Sequence, residues 1–237
     1  MPLAVITGGA RRIGGAISSA LLENGWTVII HCNRSQTQAK QLLTQGEGDV
    51  VSGDLMDDDD LFRLIEEIHD HPLVEKAGGI DLLIHNASIY NPEDFASVTP
   101  QELRRYSRVH LDAPFFITQG LVPRLKAVNG CVIGMVDTSW DHAWEDLSHY
   151  TSTKAALRQL LVNLAGELAP EIRVNGIAPG AIMAASWESE RFEKIVQKIP
   201  LGRAGNAEDI VQAVLFLQSA KYVTGYILPV DGGWSLN

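Results

Sequence analysis

Short apolar runs alternate with longer amphipathic stretches along the chain of 237 residues. Runs this short and this uniformly apolar are typical of strands in a parallel sheet that is buried on both faces. We therefore expect a parallel sheet at the centre of the molecule. Its predicted strands cover residues 3–6, 27–30, 50–51, 80–84, 131–136, 172–174 and 226–230.

The stretches between these runs have helical periodicity. Helices are predicted over residues 13–23, 148–168 and 207–218. Strand and helix alternate throughout, which predicts βαβ crossovers and an α/β fold. The expected architecture is a Rossmann-like, doubly wound parallel sheet with helices on both faces. No linker rich in Pro, Gly or Ser divides the chain, so residues 1–237 are expected to form a single domain.

Two further helix starts are marked by their first residues. Thr99-Pro100-Gln101-Glu102 has the pattern of a capping box with proline in the first turn. The acidic run 57–60 precedes a helical pattern, and carboxylates there favour the helix dipole. This explanation of the acidic run is preferred over a metal site.

Composition is that of a globular protein with a sizeable core, since 46% of the residues are hydrophobic and 20% are charged. No apolar run approaches the roughly 20 residues of a transmembrane helix. The first residues also lack the pattern of a signal peptide, so a cytoplasmic location is predicted. The net charge of -10 argues against nucleic acid or an anionic membrane as a partner.

Cysteine and histidine give no sign of a metal centre. Cys32 and Cys131 are the only cysteines, too few for a disulfide framework or a cysteine-based zinc site. His69 and His71 stand beside a helix end with no third ligand in view. We predict no bound metal.

A glycine-rich turn, Thr7-Gly8-Gly9-Ala10-Arg11-Arg12-Ile13-Gly14, lies between the first strand and the first helix. Glycine there permits a tight turn and lets backbone N–H groups approach a pyrophosphate at the helix N-terminus. Glycine is also common in turns that bind nothing. The prediction of a dinucleotide site therefore depends on the position of this turn between a strand and a helix.

The end of the second strand distinguishes the two nicotinamide cofactors. NAD-binding proteins usually place a carboxylate there, to bind the ribose 2′-hydroxyl. This chain has His31-Cys32-Asn33-Arg34-Ser35, without an acid. Arg34, Ser35 and Arg12 can together hold a 2′-phosphate, because the guanidinium fork matches phosphate geometry. NADP is predicted over NAD, the alternative being that Arg34 is a solvated loop residue.

Tyr150 and Lys154 are four residues apart in Tyr-Thr-Ser-Thr-Lys and so share one face of a helix. A nearby ammonium favours tyrosinate, which predicts that the pKa of Tyr150 lies below the usual value of about 10. Such a tyrosine can donate or accept a proton in catalysis. Tyr/Lys pairs also arise by chance in helices, and the pair gains weight from the motifs around it.

Taken together, these motifs resemble the short-chain dehydrogenase/reductase family over nearly the whole chain. The resemblance includes residues 173–180, Arg-Val-Asn-Gly-Ile-Ala-Pro-Gly, and residues 230–233, Val-Asp-Gly-Gly. It departs at Arg12, where the family fingerprint has its second glycine. The family implies an NAD(P)-dependent oxidoreductase, commonly a homotetramer built through its long helices. The cofactor contacts it implies are Gly8, Arg12, Ile13, Gly14, Asn33, Arg34, Ser35, Asp54, Leu55, Asn86, Ala87, Tyr150, Lys154, Pro179 and Gly180.

Two positions differ from the family's usual catalytic set. Most members carry a serine thirteen residues before the tyrosine, and this chain has Asp137 there. Ser139 would require a shifted loop, so Asp137 is preferred. The proton-relay asparagine is matched by His110, whose role in a relay is left open.

Asp137 argues against a simple ketone as substrate. An ionised carboxylate at about 4 Å from a developing alkoxide costs ~4 kcal/mol at an effective dielectric constant of about 20. A protonated C=N nitrogen is instead stabilised by the carboxylate, and Asp137 and Tyr150 can share a proton. The catalytic residues predicted are Asp137, Tyr150 and Lys154, acting on a C=N bond.

Within the family, this pattern resembles pteridine reductases and bacterial dihydromonapterin reductases. The features that carry it are Arg12, His-x-x-Arg-Ser after the second strand, Asn-Ala-Ser followed by an aromatic residue, and Asp137. The resemblance implies that Tyr90 stacks on the pterin ring. It implies substrate contacts by Arg12, Ser88, Tyr90, Asp137 and Tyr150, and a substrate lid over residues 184–198 in which Trp187 and Phe192 either cover the ring or pack on the domain. Trp140, His142 and Trp144 are candidates for the pocket wall.

The predicted function is NADPH-dependent reduction of a dihydropterin to the tetrahydropterin. Dihydromonapterin, dihydrobiopterin and dihydrofolate stay open as substrates. The alternatives are a general carbonyl or 3-oxoacyl-thioester reductase of the same family and a non-catalytic NADP-binding sensor.

Overall fold

The computed structural model describes residues 1–185 and 187–236, and within them seven parallel strands form one sheet. Their order across the sheet is β3-β2-β1-β4-β5-β6-β7. This arrangement confirms the predicted doubly wound α/β fold. The strands are β1 (Leu3–Thr7), β2 (Thr27–Cys32), β3 (Gly48–Ser52), β4 (Leu82–His85), β5 (Cys131–Met135), β6 (Arg173–Pro179) and β7 (Ile227–Val230).

Strand β6 extends well beyond the predicted residues 172–174. Asn175 and Gly176 interrupt the apolar run, yet Asn175 is fully buried in the sheet. Its side-chain amide donates to the carbonyl of Val223 at 3.0 Å and its oxygen accepts from the backbone N–H of Tyr226 at 3.1 Å. A buried polar residue is tolerated here because the segment before β7 satisfies it, which the local pattern does not indicate.

Helices cover both faces of the sheet. They are α1 (Arg12–Glu23), α2 (Gln36–Leu42), α3 (Asp58–His69), α4 (Pro72–Ala77), α5 (Pro100–Ser107), α6 (Ala113–Lys126), α7 (Ser148–Glu167), α8 (Ser189–Val196) and α9 (Ala207–Ser219). The three helices predicted with both ends agree to within one residue, the two predicted helix starts are present, and α2, α4, α6 and α8 were not predicted. No helix in the described part of the chain is both long and apolar enough to cross a membrane.

The sequence reasoning missed α6, which contains Pro123 and has Pro114 in its first turn. Proline normally argues against a helix interior because it lacks the N–H and crowds the preceding turn. Here the helix packs against α3 and against β4 and β5, and its buried residues include Ile117 and Leu121. Tertiary packing therefore outweighs the local signal.

Of the two hydrogen bonds in the capping box predicted at the start of α5, only one is present. Thr99 Oγ1 accepts from the N–H of Glu102 at 3.1 Å, as expected. The Glu102 carboxylate, however, binds Arg105 at 2.8 Å instead of reaching back to the backbone of Thr99. The acidic run does begin a helix, since the Asp57 side chain accepts from the N–H of Asp60 at 3.0 Å.

Helix α7, which carries Tyr150 and Lys154, lies directly against the backbone of β5. A Cβ added to Gly134 in this strand would be 2.5 Å from Leu161 Cδ1 of the helix. Leu157 and Leu161 are both buried in the core on this face of the sheet. The absence of a side chain at residue 134 therefore leaves the space that the Leu161 side chain fills.

We predict that Gly134→Ala destabilises the protein by about 1–2 kcal/mol. Overpacking a core costs about 1–3 kcal/mol, which exceeds the gain of about 0.5–1 kcal/mol from replacing glycine in a strand. Thermal and denaturant unfolding measure the change.

Gly166→Ala on α7 is the matched control, because nothing lies within 4 Å of an added Cβ there. It is expected to stabilise the protein by up to about 1 kcal/mol through helix propensity. A Gly134→Ala variant as stable as the native protein would contradict the packing argument.

Candidate active site

Two buried residues of α7 face the carboxyl end of β5. Tyr150 is 7% exposed and Lys154 4%. Lys154 Nζ donates to the carbonyl of Met135, the last residue of β5, at 2.8 Å. The helix and the strand end are thus joined at the point where crossover topology places ligands.

The Tyr150 hydroxyl donates to Asp137 Oδ2 at 2.7 Å. Asp137 follows β5, and its Oδ1 accepts from the N–H of Ser139 at 2.8 Å. The carboxylate is therefore held from two sides, with one oxygen on the backbone and the other on the phenol. The structure brings Asp137, Tyr150 and Lys154 together, and their catalytic roles stay predictions.

The direction predicted for the pKa of Tyr150 is wrong. Burial, followed by the charge of Asp137 and the hydrogen bond to it, raises the pKa of Tyr150 well above 10. Lys154 Nζ lies 5.8 Å from the ring centroid and is bound to Met135 instead. Burial also lowers the pKa of Lys154 to about 8. Tyr150 is consequently a neutral hydroxyl that holds its proton.

Tyr90 forms an aromatic wall beside Tyr150. The two ring centroids are 4.8 Å apart and the rings are tilted by 57°. Trp187 lies on the Tyr90 ring at 4.9 Å, and its Nε1 donates to the Tyr90 carbonyl at 3.3 Å. The Tyr90 hydroxyl donates to Glu188 at 2.6 Å.

Glu188 was missed by the sequence reasoning. It lies in Trp-Glu-Ser-Glu-Arg-Phe-Glu, which has the appearance of a solvated helix face. In the structure its side chain is 7% exposed and lines the same cavity as Asp137 and Tyr150. No local signal separates Glu188 from its exposed neighbour Glu190.

The cavity in front of Tyr150 measures about 230 Å³. Phe192, a predicted cover, lines it, and so does Trp144. Trp140 instead packs beneath the Arg158 guanidinium at 5.2 Å. His142 stacks on Trp234 at 5.8 Å, and Trp234 is a lining residue that the sequence reasoning did not identify.

His110 lies in a π-helical turn, Arg108–Asp112, and is almost fully buried. Its Nε2 accepts from the N–H of Ile89 at 3.3 Å and lies 2.9 Å from Ser88 Oγ. Because the Ile89 N–H can only donate, the proton of the neutral ring is on Nδ1, which lies 2.9 Å from Thr153 Oγ1. Burial, and secondarily the charge of Lys154, lowers the pKa of His110 well below 6.5.

The hydrogen-bond chain through His110 ends on a carbonyl. Thr153 Oγ1 donates to the backbone oxygen of Tyr150 at 2.8 Å. A carbonyl cannot pass a proton on, so these bonds fasten the loop at Ser88 to α7 and lead no proton to Lys154. Ser88 itself is exposed towards the cavity.

A second cavity of about 670 Å³ adjoins the first along the carboxyl ends of β1, β2 and β4. Each residue predicted to contact the cofactor lines one of the two cavities. Those in the second cavity are Gly8, Arg12, Ile13, Gly14, Asn33, Arg34, Ser35, Asp54, Leu55, Asn86 and Ala87. Those in the first include Tyr150, Lys154, Pro179 and Gly180.

The glycine-rich turn is held by close backbone approach. A Cβ on Gly14 would be 2.3 Å from the Gly8 oxygen and 2.4 Å from Asn86 Nδ2. Asn86 Nδ2 donates to the carbonyls of Thr7 and Gly8 at 3.1 and 3.0 Å. His31 supports the turn from β2, with Nδ1 accepting from the Gly8 N–H at 3.3 Å and Nε2 on the Gly53 carbonyl at 3.1 Å.

Arg12 differs from the sequence-based expectation. Its backbone is left-handed, with φ of 51°, which costs a non-glycine residue about 1–2 kcal/mol. The guanidinium, expected beside phosphates, donates to the carbonyls of Met183 at 2.6 Å and Ala184 at 3.3 Å. Arg11, which was not predicted, lines the second cavity together with Arg34.

Comparison with known proteins shows matches over almost the entire chain. The family described as Enoyl-(Acyl carrier protein) reductase matches residues 8–235. A 3alpha-hydroxysteroid dehydrogenase of Mediterraneibacter gnavus is 34% identical, over 97% of this chain and 95% of the relative. A 3-oxoacyl-(acyl-carrier-protein) reductase of Aquifex aeolicus is 32% identical, over 98% and 96%. The crystal structure of FolM alternative dihydrofolate reductase 1 from Brucella canis, complexed with NADP, superposes with a TM-score of 0.87 at 31% identity, covering 100% of this chain and 95% of that chain.

We predict that Asp137→Asn lowers the pKa of Tyr150, because it removes the negative charge that opposes tyrosinate. Tyrosinate absorbance during an alkaline titration measures the change, and a Tyr150→Phe protein identifies the contribution of this residue.

Glu190→Gln, which removes an exposed carboxylate from α8, is the matched control and leaves the Tyr150 titration unchanged. If Tyr150 titrates identically in the native protein and in the Asp137→Asn variant, the carboxylate does not act on the phenol.

Proposed function

Because the chain belongs to the short-chain dehydrogenase/reductase family, we propose that it is an NADPH-dependent pteridine reductase, reducing a dihydropterin to the tetrahydropterin. The observation that carries this proposal is the hydrogen bond from Tyr150 to Asp137 at 2.7 Å. The likeness to FolM, described as an alternative dihydrofolate reductase and complexed with NADP, supports the same substrate class.

The residues of the second cavity fit a dinucleotide phosphate. Within the described residues, the first turn of α1 has neither a side-chain cap nor an acidic residue. Its free N–H groups and the helix dipole favour an anion at this end. Arg11, Arg34 and Ser35 are the candidates for the 2′-phosphate, while Tyr150 and Lys154 are those for the nicotinamide ribose.

Reduction of a C=N bond requires a hydride on carbon and a proton on nitrogen. NADPH, when bound, supplies the hydride. The Tyr150 hydroxyl, which its raised pKa keeps protonated at neutral pH, is the proton donor when its O–H turns from Asp137 to the substrate nitrogen. The Asp137 carboxylate stabilises positive charge on the substrate nitrogen, whereas it repels the alkoxide formed from a ketone.

The walls of the first cavity suit a flat, polar ring. Tyr90 offers an aromatic face next to Tyr150, and Trp187 supports it from behind. Aromatic rings stack favourably on planar heterocycles. The carboxylate and hydroxyl groups around them are suited to the donors and acceptors of a pterin.

A second candidate function is a carbonyl or 3-oxoacyl-thioester reductase. It is favoured by the curated relatives, which include a 3-oxoacyl-(acyl-carrier-protein) reductase and a hydroxysteroid dehydrogenase. Asp137 argues against it, through the repulsion of an alkoxide. A non-catalytic NADP sensor is disfavoured because Tyr150 and Lys154 are both retained.

A homotetramer is part of the proposal. Leu157 and Leu161 of α7 are buried in the protomer core. Phe115 on α6 and Val162 on α7 are 41% and 37% exposed and are available to a neighbouring subunit. The cytoplasmic location stays a prediction.

NADPH oxidation by the purified protein tests the substrate proposal, with dihydrobiopterin and an acetoacetyl thioester assayed side by side. Rapid oxidation with the dihydropterin alone is expected. Asp137→Ser should lower dihydropterin turnover by about 10²–10³-fold, the loss typical of one preorganised electrostatic group, and should raise activity on simple ketones.

Ser139→Ala is the comparison variant, since Ser139 is the nearest serine to the family position. It is expected to leave dihydropterin turnover nearly unchanged. Full dihydropterin activity in Asp137→Ser would remove the role given to the carboxylate, and activity with the thioester alone would overturn the substrate assignment.

The cofactor preference is tested at Arg34. Arg34→Ala should reduce the ratio of kcat/KM with NADPH to that with NADH about tenfold or more, the effect of losing charge-assisted hydrogen bonds to a phosphate. Lys40→Ala on α2 makes the same change in charge outside the cavity lining and should leave the ratio as it is. An unchanged ratio in Arg34→Ala would mean that the phosphate is held elsewhere, with Arg11 the next residue to replace.

A further inference from the structure

Glu188 is a buried carboxylate with no part in the steps above. Its Oε1 accepts from the Tyr90 hydroxyl at 2.6 Å and its Oε2 from the N–H of Ala185 at 3.2 Å. Both donors are neutral, so the bonds do not cancel a charge on the carboxylate. A carboxylate is costly to bury, and this one lines the cavity that contains Asp137 and Tyr150.

The side chain of Glu188 lies close to the reacting centre. The Tyr90 ring that it binds is 4.8 Å from the Tyr150 ring. Its charge contributes to the raised pKa of both Tyr90 and Tyr150. The cavity thus has two tyrosines, each donating to its own carboxylate.

The chemistry of the substrate indicates what Glu188 meets. In a dihydropterin whose C6=N5 bond is reduced, the side chain is attached to C6, the carbon that takes the hydride. Groups around Tyr150 therefore face this side chain, whereas the amino group of the pyrimidine ring lies at the far end of the bicycle. Because Glu188 lines the same cavity as Tyr150, we expect it near the C6 substituent.

We propose that Glu188 is a specificity-determining residue that favours pterins with a neutral, hydroxyl-bearing C6 side chain and disfavours those with a carboxylate there. The inference rests on the proposed function. A carboxylate accepts charge-assisted hydrogen bonds from hydroxyls and repels another carboxylate at close range. Asp137 adds to this repulsion. The nearby cations are bound to backbone carbonyls, Arg12 to those of Met183 and Ala184, Lys154 to that of Met135 and Arg191 to that of Glu145.

Glu188 also holds Tyr90, and two variants separate this positioning role from specificity. Glu188→Gln keeps an oxygen acceptor for the Tyr90 hydroxyl and removes the charge. Tyr90→Phe breaks the hydrogen bond and keeps the charge. Glu190→Gln makes the same charge change on an exposed residue of α8 and is the matched control.

The experiment measures the Kd of 6-hydroxymethylpterin and of 6-carboxypterin for the NADP⁺ complex of each protein, by pterin fluorescence. The two ligands differ only in the C6 substituent. The native protein should bind the hydroxymethyl compound about tenfold more tightly or better. Glu188→Gln should reduce the ratio of the two Kd values about tenfold, as expected for the loss of one buried charge. Tyr90→Phe should weaken both ligands and, like Glu190→Gln, preserve the ratio.

If the ratio of the two Kd values is the same in the native protein and in Glu188→Gln, the inference is overturned and the proposed function still stands. Equal weakening of both ligands in Glu188→Gln and Tyr90→Phe, with no change in ratio, assigns Glu188 to positioning alone. If Glu188→Gln has a much lower Tm and no longer binds NADP⁺, the test uses the native protein alone. A ratio of the two Kd values near one in the native protein then refutes the inference. Failure of the native protein to bind either pterin or to turn over a dihydropterin overturns the proposed function together with the inference.

Discussion

The hydrogen bond from Tyr150 to Asp137 joins two elements that the sheet brings together, the start of α7 and the segment after β5. Further along the same helix, the Leu161 side chain packs onto Gly134 of β5. Lys154 fastens the same helix to the end of the same strand through Met135. The phenol, the ammonium and the carboxylate are therefore all positioned by the packing of α7 against the end of β5, and moving the helix would disturb all three at once.

The same arrangement of α7 and the end of β5 also sets the electrostatic character of the site. An ammonium next to a phenol would favour tyrosinate, and a carboxylate next to it favours the neutral hydroxyl. In this molecule Lys154 donates to a carbonyl while Asp137 accepts from the phenol, so the second effect prevails. A neutral hydroxyl suits the proposed reduction of a C=N bond, in which the nitrogen must gain a proton.

Most of the fold could be predicted because its determinants are local. Strands β1 and β2 are buried at every position and contain the apolar runs 3–6 and 28–30. Tyr150 and Lys154 share a helix face by spacing alone. Helix α6 and the full length of β6 could not be predicted, because Pro123 and Asn175 are accommodated by packing and by hydrogen bonds from distant segments. The direction of the Tyr150 pKa shift and the burial of Glu188 likewise depend on which side chains meet in space, which spacing along the chain does not specify.

Arg12 has a consequence for how the two cavities respond to their ligands. It belongs to the turn that lines the second cavity, and it holds the carbonyls of Met183 and Ala184 beside the first. A ligand that displaces this side chain at one cavity changes the free energy of binding at the other. Thermodynamic linkage requires the two effects to be equal. If a bound dinucleotide increases the affinity for the second ligand, that ligand therefore increases the affinity for the dinucleotide by the same factor.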